Sequence, residues 1–86
     1  SDGATVRWRP TKNITHYEVY VNGQLVATVN QDVTRHTLKN LESDKSYTVK
    51  VVAYGKKGGM VTQTISFKTK SAGPAAWLPA IYSIML

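Results

Sequence analysis

Apolar and polar residues alternate one by one through most of the chain up to about residue 70, the period of a half-buried β-strand. The first run, Ala4 to Arg9, turns Ala4, Val6 and Trp8 to one face and Thr5, Arg7 and Arg9 to the other. Pro10 ends it, because proline has no backbone N–H to give to a ladder. A polar loop over Thr11 to Thr15 follows. His16 to Val21 and Gln24 to Val29 are then two alternating runs separated by Asn22-Gly23. That dipeptide tolerates positive φ at both turn centres and predicts a two-residue type I′ hairpin. In that register Tyr20 opposes Leu25 and Val19 opposes Val26. Tyr17, Val19, Val21 and Val26 are therefore expected in the core, with Tyr20 and Leu25 paired outside.

Further along, Thr34 to Leu38 predicts a short strand, and Asn40 to Ser46 a corner rich in turn formers. Tyr47 to Tyr54 is the longest run, with Tyr47, Val49, Val51 and Ala53 inward. Gly55 to Gly59 reads as a flexible loop. The last strand, Val61 to Thr69, turns Ile65 and Phe67 inward and Thr64, Ser66 and Lys68 outward. Short strands at this spacing predict an all-β, immunoglobulin-like antiparallel sandwich. Its expected core is one cluster of Trp8, Tyr17, Val19, Leu41, Tyr47, Val49, Val51 and Phe67.

Residues 1–70 are expected to form the sandwich, and residues 71–86 a linker with an apolar tail. Trp77 to Leu86 fits one or two helical turns with Pro79 in the first, and equally an extended strand. It is far too short for a bilayer span, which needs ~20 residues. The opening Ser1-Asp2-Gly3 has no signal-peptide character and reads as a cut within a longer protein.

Several of these residues fall where one family places its markers. The chain resembles a fibronectin type III domain from about Ala4 to Thr69. Trp8 shortly before Pro10 matches the family's second strand, and Tyr17-x-Val19 its third. Leu41 followed six residues later by Tyr47 matches the corner before the long strand, and Phe67 with Thr69 the close of the last. The Tyr-Glu-Val-Tyr-Val-Asn-Gly hairpin is similar to versions in bacterial and phage secreted proteins, especially those attached to polysaccharide-degrading enzymes. The resemblance implies that the Tyr47 hydroxyl bonds the backbone across the corner. It also implies a first strand ahead of Ala4, for which only three residues precede. Without it the strand from Ala4 would present a bare edge that recruits other chains. The tail is expected to cover that edge, in its own chain or in a neighbouring copy; the rival is a piece of a following domain or a membrane-proximal stub.

Charge adds one consideration: 11 Lys+Arg against 5 Asp+Glu leave a formal +6, which favours anionic partners or merely solubility. Lys50, Lys68 and Lys70 are expected on one outer face near Lys56, Lys57 and Tyr54. So little aromatic surface beside them gives bases no stacking platform, and neither nucleic acid nor membrane is an expected partner. There is no cysteine, and His16 and His36 lack metal-ligand spacing to any acid. Asp2, Glu18, Asp32, Glu42 and Asp44 are scattered and make no acid/base pair. The Gly55–Gly59 loop lacks phosphate-loop spacing. Asn13-Ile14-Thr15 is formally a glycosylation triplet.

No catalytic, cofactor or metal site is expected. The chain reads as a non-catalytic module of a larger secreted or surface protein, serving as spacer or scaffold for neighbouring domains. The alternative is a recognition module for a protein or an anionic polysaccharide. Its candidate contacts are Lys50, Lys56, Lys57, Lys68, Tyr20, Leu25 and, in the tail, Trp77, Ile81, Tyr82 and Ile84. Self-association through the tail or the bare edge is a further expectation.

Overall fold

The computed structural model describes residues 2–70 and 81–86. Those residues form seven strands: β1 (Asp2–Arg7), β2 (Ile14–Val21), β3 (Gln24–Asn30), β4 (Arg35–Leu41), β5 (Ser46–Gly55), β6 (Met60–Lys68) and β7 (Ile81–Met85). A four-stranded sheet, β3-β2-β5-β6, faces a three-stranded one, β4-β1-β7. The inward residues of both sheets meet in one cluster. Ala4 and Val6 of β1 and Leu38 and Leu41 of β4 pack with Tyr17 and Val19 of β2 and Val49, Val51 and Ala53 of β5.

Of the eight expected core residues, seven are buried, and Phe67 packs on the flank of the cluster with its ring stacked on Tyr47 at 5.8 Å. Trp8 stays in the core, although β1 ends one residue before it. Its backbone N–H reaches Thr34 O at 3.0 Å and its ring meets Tyr17 edge-on at 5.5 Å. The first strand is thus displaced toward the N-terminus relative to the expected Ala4–Arg9, because Trp8 bonds outside the ladder. The fourth strand runs on to Leu41 instead of stopping at Leu38. Its pairing with β1 slips between Asp2 and Ala4, and this lets Leu41 reach the core.

The hairpin turn is as expected, with φ of 50° at Asn22 and 83° at Gly23. Its register is not. Tyr20 pairs with Leu25, but Val19 pairs with Ala27, so Val26 is an extra residue in the ladder. Such a bulge reverses side-chain parity on one strand only. Ala27 takes the inward position and Val26 is left 47% exposed, which corrects its placement in the core.

The tail resolves into a strand and not a helix over Ile81–Met85. It lies beside β1 in parallel register, Gly3 with Ile81 through Arg7 with Met85, on the edge not taken by β4. Leu86 N donates to Arg7 O at 2.8 Å, and Ile84 and Leu86 pack against the core. The strand beside β1 therefore comes from the chain's own far end.

Candidate functional site

Strand directions sort the loops into two ends. At one end Leu41 pairs with Asp2, and the corner Glu42–Lys45 meets Thr69 and Lys70. The Tyr47 hydroxyl accepts Glu42 N–H at 2.8 Å, and the buried Thr69 hydroxyl donates to Glu42 O at 2.6 Å and accepts Lys45 N–H at 3.0 Å. Tyr47 was legible from the corner spacing. The role of Thr69 was not, because it depends on two segments far apart in sequence. Glu42–Lys45 and Asp44–Lys68 are ion pairs at 3.0 and 3.1 Å between exposed side chains, worth little to stability.

The outer face of the four-stranded sheet carries His16, Glu18 and Tyr20 from β2 beside Tyr54, Val52 and Lys50 from β5. Tyr20 Oη donates to Glu18 Oε1 at 2.9 Å. The hydroxyls of Tyr54 and then Tyr20 hold the Glu18 carboxyl below its ordinary value. Reciprocally, hydrogen bonding to Glu18 pushes both phenols up. The His16 and Tyr54 rings stack at 4.8 Å, and Lys50 Nζ sits 4.8 Å above the Tyr20 ring. These rings turn their faces to one another and to a cation, which leaves no flat aromatic platform. Val52, at an outward position, is 4% exposed beneath them. A lone valine between Lys50 and Tyr54 in a middle strand was the available signal for that small outer cluster.

The lysines do not form a stripe. Lys50 lies mid-strand opposite Thr64, Lys68 lies at the Asp2 end paired to Asp44, and Lys56 and Lys57 sit in the β5–β6 loop at the other end. Leu25 is exposed beside Tyr20, whose ring Lys50 covers. Among the tail candidates, Trp77 lies outside the described residues, Ile81 and Tyr82 belong to β7, and Ile84 is turned into the sandwich.

At the far end, the β1–β2 and β5–β6 loops meet. Lys56 N donates to Asn13 O at 3.0 Å, and a groove of about 510 Å³ opens between Lys12, Asn13, Ile14, Lys56, Lys57 and Met60. Lys12 was absent from the expected contacts, since only the topology brings its loop against Lys56. Among the described residues no three acids, histidines or cysteines gather where they could hold a metal.

The fibronectin type III domain profile matches residues 1–68. The chain belongs to the fibronectin type III family. This fibronectin type III domain is 35% identical to a Kelch domain-containing protein of Sulfurisphaera tokodaii, over 74% of the chain but only 9% of that relative. Among solved structures it resembles the Clostridium perfringens spore cortex lytic enzyme SleM, with a TM-score of 0.58 at 15% identity. That likeness covers 76% of this chain and 23% of the enzyme, and it speaks to the fold alone. Fibronectin type III domains are in general non-catalytic modules, and the chain spans a small part of both relatives.

Proposed function

We propose that the chain is a non-catalytic module of a larger extracellular or surface protein, acting as a spacer that positions neighbouring domains. The observation that carries this reading is the share of the relatives it covers: 9% of one and 23% of the other. A small self-contained sandwich recurring as a minor part of large proteins is what a positioning element looks like. Its core is filled by apolar side chains, and the Tyr47 and Thr69 hydroxyls serve the corner.

The test replaces the module in its parent protein by a flexible Gly/Ser linker of equal residue number. Small-angle scattering should show a shorter and broader distribution of distances between the flanking domains. Each flanking domain should keep its activity on a small soluble substrate. Unchanged spacing, or lost activity on that substrate, would overturn the spacer reading.

A further inference from the structure

Positive charge is unevenly placed along the sandwich. Lys12, Lys56 and Lys57 line the groove between the β1–β2 and β5–β6 loops. A second, shallower groove at the same end runs over Arg7, Arg35 and Met85, with Asp32 beside them. A third depression, lined by Thr11, Asn13, Gln31, Asp32 and Lys56, joins the two. The path thus carries five cationic side chains and one acid, Asp32. The Glu42–Lys45 and Asp44–Lys68 ion pairs lie at the opposite end.

Arg7 and Arg35 make the arrangement more pointed. They are direct cross-strand partners in the β1–β4 ladder, and both are exposed. Like charges facing each other across an antiparallel pair oppose folding. A bound anion between them would turn that repulsion into attraction. The path is also longer than a single small anion requires, since it passes from the three-stranded sheet across the loops to β5 and β6.

We infer that this end of the domain is a binding track for an extended acidic polysaccharide, one bearing sulfate or carboxylate groups at intervals along its chain. Five flexible cations spread along connected shallow grooves fit a polymer with repeated charges, and each contact releases condensed counterions. A nucleic acid fits less well. Trp8, at this end, is 2% exposed, and Tyr54 stacks on His16, so among the described residues neither ring offers bases an open face to stack on. The inference is independent of the spacer role, and the tests share no readout.

The full chain is titrated with heparin and with alginate, using uncharged dextran and duplex DNA of matched charge as comparisons, at several salt concentrations. Binding to the acidic polysaccharides is expected, with affinity falling steeply as salt rises, and amide shifts in the nuclear magnetic resonance spectrum centred on Arg7, Arg35, Lys12 and Lys56. Saturating heparin should raise Tm, because it binds the folded chain selectively. The double variant Arg35→Ser/Lys56→Ser should bind about tenfold more weakly at moderate salt. Lys45→Ser/Lys68→Ser removes the same charge from the opposite end and should bind as the parent does. Equal weakening in both variants would reduce the effect to net charge and overturn the track. No binding at low salt would also overturn it, and duplex DNA binding as tightly as heparin would overturn the polysaccharide assignment.

Discussion

The Tyr47 hydroxyl accepts the Glu42 backbone N–H at 2.8 Å, closing the corner between β4 and β5 while the Tyr47 ring lies in the core against Phe67. One side chain thus ties the loop and anchors the longest strand. Tyr47→Phe keeps the ring and strands a part-buried amide. The expected loss is ~1–3 kcal/mol, from the bond and from desolvation of its orphaned partner. Urea unfolding should show a lower midpoint with an unchanged slope. A midpoint equal to the parent's would mean that water replaces the hydroxyl without cost.

Gly23 has no heavy atom within 4 Å of where a Cβ would stand, but its φ is +83°. Substitution there is governed by backbone conformation and not by space. Gly23→Val should destabilise the domain by ~1–2 kcal/mol, since a β-branched residue in the left-handed region is strained. Gly23→Asn should cost much less. Thermal melting of the pair checks this, and similar losses for both would rule out the conformational explanation.

The Glu18 carboxyl is held low chiefly by the Tyr54 hydroxyl and then by Tyr20. With its value lowered in the folded state, Glu18 favours folding above the ordinary carboxylate range. That contribution fades as pH falls through the folded value. Tyr54→Phe should move the titration of Glu18 upward, toward an exposed glutamate. Carbon-detected nuclear magnetic resonance of the carboxyl reads this directly. No movement would show that Tyr20 alone sets the value.

Deleting residues 74–86 removes Ile84 and Leu86 from the core and bares the edge of β1. The shortened chain should melt at a lower temperature and bind an apolar dye. The milder Ile84→Asp should do the same to a smaller degree. An unchanged melting temperature in both would show that β7 adds nothing to stability.

Much of the fold was legible because parity in a strand is strict. Within each run the buried residues are two apart: Ala4, Val6 and Trp8, then Tyr17 and Val19, then Val49, Val51 and Ala53. Asn22-Gly23 was equally readable, since few other dipeptides accept two positive φ values. The failures share a cause. Val26 was misplaced because a bulge is one residue of freedom that alternation does not encode. Thr69 and Lys12 act only through loops that topology brings together, as does the pairing of Arg7 with Arg35. Local pattern carries the sheets, whereas the charged track depends on which loops meet at one end.

The parallel pairing of β7 with β1 also has a mechanical consequence. Asp2 starts β1 at one end of the sandwich, and Met85 finishes β7 at the other. Tension between those points pulls the two strands past each other, so the bonds from Gly3–Ile81 to Arg7–Met85 bear load together, in shear. Lys68 and Lys70, by contrast, lie at the same end as Asp2, beside the Asp44 corner. A chain tethered there would be peeled apart one bond at a time. Single-molecule stretching between residues 2 and 86 should therefore rupture at a higher force than stretching between residues 2 and 70. Equal forces would mean that the weak point lies elsewhere. In such a geometry the last strand makes the domain a link that carries load from one end to the other.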